Sequence, residues 1–218
     1  MNGHPVEIVG LDNKLSPQES LVQLQKAMDN GVDFITQGNG SSVASALIAG
    51  IEKHNRRNPG DERLFLNYAA VDPVFTNERC SFWHFRFDAN SDMKMNALTD
   101  YLAGQKEIKK VYLINQDYSH GRSVSAQARK MLKEKRPDIE VVGNDFHPLA
   151  KVKDFTPYIS KIQASGADAV ITGNWGQDMT LLVKAAADFG LDAPFFTYYG
   201  ASSGVATQLG EKGVDRLY

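Results

Sequence analysis

FITQGNGSSVASALIAG, Phe34 to Gly50, reads as a strand, a glycine turn and a helix in succession. Apolar Phe34-Ile35 leads into Gly38-Asn39-Gly40, and after Ser41-Ser42 the apolar positions recur at helical spacing. The same alternation runs outward in both directions. Upstream lie a strand, Val6 to Leu11, and a helix opened by Ser16-Pro17-Gln18-Glu19. Ser16 is placed as N-cap, Pro17 at the first helical position and Glu19 three residues after the cap, a capping box. Next come a strand at Asp33 to Thr36, a helix at Ser42 to Asn55 and a strand at Arg63 to Tyr68. Cys80 to Phe87, CSFWHFRF, is aromatic and extended without the apolar run of a buried parallel strand, and is read as a crossing between two lobes.

A second series follows. Its helices are expected at Ser91 to Leu102, Gly121 to Lys135, Phe155 to Ala164 and Gln177 to Phe189, with a short one near Leu209. Its strands are expected at Lys110 to Asn115, Ile139 to Phe146, Ala167 to Thr172 and Pro194 to Tyr199. Strands that alternate with helices make an α/β protein of parallel sheets with right-handed crossovers, here two doubly wound lobes. The expected division is 1–87 and 88–218. The first series offers few strands for a sheet covered on both faces, so lobe one reads as incomplete.

Bulk composition narrows the function. The 218 residues are 42% hydrophobic and 23% charged, ordinary for a globular chain. A net charge of -2 gives no electrostatic basis for binding nucleic acid or an anionic membrane. No apolar run has the length of a membrane span, and MNGHPVEIVGLDNK lacks the basic start and apolar core of a signal peptide. Cys80 is the single cysteine and the five histidines have no metal-site spacing, so no metal is expected.

The glycines of the opening stretch do not make a nucleotide site. A dinucleotide turn needs a third glycine where Val43 stands, and a ribose-binding acid at the end of the next strand, which closes on Asn67-Tyr68. A phosphate loop needs a lysine that is absent. No cofactor is expected. What remains is a helix N-terminus with Ser41 and Ser42 on it, either cradling a ligand's oxygens or capping its own helix. Gly200 to Gly204 matches G-x-S-x-G, but no histidine follows Ser202, so a hydrolase elbow with Ser202 as nucleophile is the lesser alternative. In open α/β sheets ligands bind beyond the carboxyl ends of the strands. Those ends carry Asn39 to Ser42, Ala69 to Asp72, Gln116 to Tyr118, Gly173 to Trp175 and Tyr198 to Gly200. Aromatic walls with a few polar groups describe a small-molecule cleft.

Several stretches in order carry a resemblance to a known family. They are Gly3 to Leu47, AAVDPVFT (Ala69 to Thr76), FRFDANSDMKMNALTDYL (Phe85 to Leu102), NQDYSHGRSVSAQARKML (Asn115 to Leu132) and, most specific, Lys153 to Leu191. Together they resemble the type I periplasmic solute-binding proteins of branched-chain amino acid ABC transporters, of the leucine/isoleucine/valine-binding class. The resemblance implies binding without a reaction, hinge closure of two lobes on a small molecule, a membrane permease as partner and a periplasmic location. It also implies that the opening strand and helix of lobe one, and the closing return to it, are missing from this chain; a second copy completing lobe one by segment exchange is a further expectation. By residue, it places Ser41 or Ser42 in the first carboxylate-holding loop, beside the strand-end candidate Asn39, and Ala69 and Val71 in the second, with Asp72 beside them. Val71 lacks the hydroxyl that family members often have there. Tyr118 matches the residue that closes over the ligand, and Trp175 with Tyr198 or Tyr199 the pocket walls. The acid that usually binds an ammonium group would lie near Gly200 to Gly204, where Ser202 and Ser203 stand instead. An aromatic acid is therefore expected ahead of an aliphatic amino acid. A sensory domain of the same fold is the other alternative.

Overall fold

The computed structural model describes residue 3 and residues 5–218. The chain divides into two compact units, 1–88 and 89–218.

The first unit has helices α1 (Pro17–Asp29) and α2 (Ser41–Arg57) and strands β1 (Phe34–Gln37), β2 (Leu64–Asn67) and β3 (His84–Arg86). The strands form one parallel sheet in the order β1-β2-β3. The segment read as a crossing thus supplies this sheet's third strand, paired Phe65 to His84. Ile35 and Phe65 point to one face and meet Leu24, Val43, Leu47 and Ile51 of the two helices. The alternate positions Phe34 and Phe85 are 60% and 49% exposed, so the helical layer covers one face of this sheet.

Two local expectations change. Val6 to Leu11 is no strand: its backbone has no ladder partner and Val6 and Ile8 are 70% and 87% exposed. Apolar alternation makes a strand only where a neighbouring strand takes up its backbone groups. The capping box is half formed. Ser16 Oγ accepts from the Glu19 amide at 3.2 Å, but the Glu19 carboxylate accepts from Gln23 Nε2 at 2.5 Å instead of reaching back. The Ser16 amide donates to the Asn13 carbonyl at 2.9 Å.

The second unit carries α3 (Ser91–Gly104), β4 (Lys110–Gln116), α4 (Ser119–Lys135), β5 (Glu140–His147), α5 (Thr156–Ser165), β6 (Ala169–Thr172), α6 (Gly176–Phe189), β7 (Phe195–Thr197) and α7 (Val205–Leu209). Its parallel sheet runs β5-β4-β6-β7. The strands leave alternate residues on opposite faces, and each face is covered. Val111, Leu113 and Ile171 pack with Met95 and Leu102 of α3 and Val124, Ala128 and Leu132 of α4. Tyr112, Ile114 and Val170 pack with Ile159 and Ile162 of α5 and Met179, Leu182 and Val183 of α6. This is the doubly wound arrangement, with β4 and β6 buried on both sides.

Candidate functional site

Helices α2, α4 and α6 each start just past the carboxyl end of a strand, and none has a side chain capping it. Their N-caps are Gly40, Tyr118 and Trp175. By contrast Ser16 caps α1 and Asn90 caps α3 through their side chains. Leading amides at the three uncapped starts carry the positive end of the helix dipole.

In the first unit the expected residues fall on two turns. Gly40 has φ 115°, a conformation that favours glycine, and it turns the chain into α2. Ser41 is buried and Ser42 half-buried, and neither hydroxyl caps the helix. Asn39 is held in place, its Oδ1 accepting from Gln37 Nε2 at 2.5 Å and from Asn13 Nδ2 at 3.2 Å. Across β2, the Asn67 side chain organises the second turn: Oδ1 accepts from the amides of Ala69 and Ala70, and Nδ2 donates to the Ala70 carbonyl at 2.7 Å. Gly38 lies against this turn, since a Cβ there would sit 2.8 Å from the Ala69 nitrogen. Ala69 is half-buried. Val71 is fully buried, which leaves only its backbone to offer. Asp72 is occupied structurally, capping the 3-10 turn Pro73–Thr76 through the Val74 amide at 3.2 Å.

In the second unit the aromatic residues converge. Trp175 Nε1 donates to the Tyr118 hydroxyl at 2.7 Å, joining the N-caps of α6 and α4. The His120 ring lies among the others, 5.7 Å from the Tyr118 ring, 6.2 Å from Tyr198 and 6.1 Å from Tyr199. Tyr198 turns inward: its hydroxyl donates to the Ser91 carbonyl at 3.1 Å and its ring packs on the α3/α4 core. Burial, then the nearby Tyr199 and Asp92, holds its hydroxyl protonated well above the ordinary tyrosine range. The Tyr199 ring lies 6.1 Å from that of Tyr198, under the Lys94 ammonium 5.2 Å from its centroid.

The expected helix began at Gly121, just after His120, but His120 lies in the first turn of α4, 2% exposed. Gln116 was named only as the first residue of a strand-end loop, and Asp178 was missed. The Gln116 amide donates to Asp178 Oδ2 at 2.8 Å and to the Trp175 carbonyl at 3.3 Å. The same carboxylate oxygen accepts from the Ala150 amide at 2.8 Å. Asp178 could have been suspected as an acid in the first turn of a predicted helix; nothing local marks Gln116. Ser202 is exposed on the turn before α7. A hollow of about 610 Å³ in the second unit is at the opposite, amino-terminal edge of the sheet, between Ile108, Asp168, Leu191 and Phe196. The helix starts and aromatic rings are at the carboxyl edge, and we place the candidate site there. Among the described residues no group of histidine, cysteine and carboxylate side chains is arranged to hold a metal ion, and no helix is long and apolar enough to cross a membrane.

The family model for periplasmic binding proteins matches residues 1–218. The chain belongs to the periplasmic binding protein family. Leu/Ile/Val-binding protein homolog 4 of Brucella abortus is 36% identical over 199 residues, covering 91% of this chain and 47% of that protein. The closed-conformation crystal structure of a leucine-, isoleucine-, valine-, threonine- and alanine-binding protein from Brucella ovis superposes with a TM-score of 0.78 at 35% identity, over 97% of this chain and 54% of that one. A solute-binding protein from R. palustris in complex with benzoate gives a TM-score of 0.83 at 19% identity, over 96% and 56%. The chain thus spans about half the length of these periplasmic binding proteins. They are solute-binding proteins, not enzymes, so the hydrolase reading of Ser202 falls away.

Proposed function

We propose that this chain is part of the extracytoplasmic solute-binding component of an ABC importer, and that its solute is a small carboxylate, an aromatic acid ahead of a branched-chain amino acid. The aromatic wall formed by Tyr118, Trp175 and Tyr199 around His120 carries this reading. A flat ring gains from such walls beyond its buried area, by about 0.5–1.5 kcal/mol per aromatic pair. The turn after β2 has no hydroxyl at Val71, and the turn before α7 has Ser202 and Ser203 but no acid. The missing acid favours a solute without an ammonium group. In the first unit, the uncapped start of α2 with Asn39, Ser41, Ser42 and the Ala69 turn is the proposed carboxylate cradle. The Brucella relatives are named for amino acids and the R. palustris structure holds benzoate, so the fold accommodates both classes.

In the whole protein the proposed mode of capture is closure of two lobes, 1–87 and 88–218 being this chain's parts of them, with the closed form presented to a membrane permease in the periplasm. Where the first sheet is open, around Phe34 and Phe85, a second copy is the proposed self-association. A melting-temperature panel of benzoates, cinnamates and aliphatic amino acids tests the solute class, because a ligand that binds only the folded form must raise the midpoint. A rise with aromatic acids supports the reading. A rise confined to leucine, isoleucine or valine replaces the aromatic acid with an amino acid.

A further inference from the structure

His120 is a buried group that the proposed binding function does not use directly. Its Nε2 lies 3.3 Å from the Gly173 carbonyl oxygen. A carbonyl only accepts, so Nε2 carries the proton that faces it. Its Nδ1 is buried with no hydrogen-bond partner. The ring reaches Gly173 only because that residue has no side chain. A Cβ there would be 2.6 Å from Val124 Cγ2 and 3.2 Å from His120 Nε2. Gly121 does the same on the other side, since its Cβ would fall 1.9 Å from the Gln116 carbonyl oxygen. The first turn of α4 is thereby pressed against the end of β4 and the loop after β6.

These contacts make two ties between the same pair of segments. The inner one runs from His120 to Gly173 and the outer one from Tyr118 to Trp175, each joining the start of α4 to the loop that leads into α6. The outer tie joins two side chains at half-buried positions, where water competes for both groups. The inner tie is dry. The Asn115 side chain reinforces it, accepting from the Gly173 amide at 2.8 Å, so Gly173 is held through both backbone groups.

We infer that His120, as its neutral Nε2–H tautomer, is a positioning residue that sets the spacing of the Tyr118 and Trp175 rings and so the fit of a planar solute. This rests on the site proposed above. Burial, reinforced by the Lys94 charge and opposed by the Gly173 carbonyl, pushes the His120 pKa down to about 4, which keeps the ring neutral at ordinary pH.

The test uses the full chain in three forms, wild type, His120→Phe and His120→Gln. Phenylalanine keeps the ring but cannot donate; glutamine replaces an N–H near the Nε2 position. Ring nitrogen NMR of the wild type should show Nε2 protonated and Nδ1 bare. In His120→Phe the Trp175 indole N–H resonance should move, and affinity for benzoate should fall about tenfold, the size expected when one buried hydrogen bond is lost. His120→Gln should restore the Trp175 resonance and most of the affinity. A Nδ1–H tautomer, or a His120→Phe chain with unchanged Trp175 resonance, overturns the inference. If wild type binds no aromatic acid, the solute reading fails by itself. The tautomer and the Trp175 resonance still decide the role of His120.

Discussion

Single residues at the carboxyl edge of the second sheet set how tightly its turns pack. Gly121 is the sharpest case. Alanine there would put a Cβ 1.9 Å from a backbone oxygen that cannot swing away, so Gly121→Ala should cost about 3 kcal/mol, read as a lower urea midpoint for the second unit. An unchanged midpoint would mean α4 can lift from β4 freely. Trp175→Phe keeps an aromatic wall but removes the donor to Tyr118, and should weaken binding of an aromatic acid by about fivefold, near 1 kcal/mol, by calorimetric titration. Tyr118, Trp175 and Tyr199 were legible in the sequence because aromatic residues after strands announce themselves. His120, Gln116 and Asp178 were not: their partners lie 53, 62 and 28 residues away, and no local pattern reports a long-range hydrogen bond. Val71 and Asp72 were expected at the site from the family resemblance. Burial takes the first side chain and a capping bond the second.

At the scale of helices and strands, local chemistry marked most boundaries. Pro17 and Ser16 fix the start of α1, and Gly166 and Gly190, both in left-handed conformation, end α5 and α6. Ser16→Ala should destabilise α1 by about 1 kcal/mol, seen as faster amide exchange in its first turn, whereas Glu19→Gln should change little because its carboxylate does not close the box. Val6 to Leu11 was misread for a physical reason. Strand formation depends on a neighbour, and the sequence does not say which neighbours a sheet edge will have. Start of α4 also makes the second unit pH-sensitive. The His120 pKa is depressed to about 4 from an ordinary 6.5, so between those values the unfolded chain binds a proton that the folded chain refuses. Stability should therefore fall as pH drops from about 6.5 to about 4, by on the order of 3 kcal/mol, and this contribution should be flat below that. Lys94 and the rings of Tyr118, Tyr198 and Tyr199 are the groups that face it. Urea midpoints of wild type and His120→Gln across this range check the sign, since the variant should lack the slope.

For the whole molecule, the contrast is between a sheet covered on both faces and one covered on a single face. Alternation of strand and helix made the α/β class and the parallel sheets readable from sequence. The thin first series also foretold a sheet with few strands, and what it could not reveal was which face would stay open. The second unit has two cores around β4 and β6, while the first has one, beneath α1 and α2. Amide exchange should accordingly be slowest in β4 and β6 and faster throughout β1, β2 and β3; equal protection in both sheets would contradict this reading of the cores. The central claim is that an aromatic acid is held at the carboxyl edge of the second sheet. The chain's two tryptophans make it directly testable, because Trp175 lies in the proposed wall and Trp83 packs against the core of the first unit. The measurement is a titration with benzoate followed by the two indole N–H resonances. The Trp175 resonance should shift saturably while that of Trp83 stays in place. A saturable shift of Trp83 alone, or binding that leaves Trp175 unmoved, would contradict it.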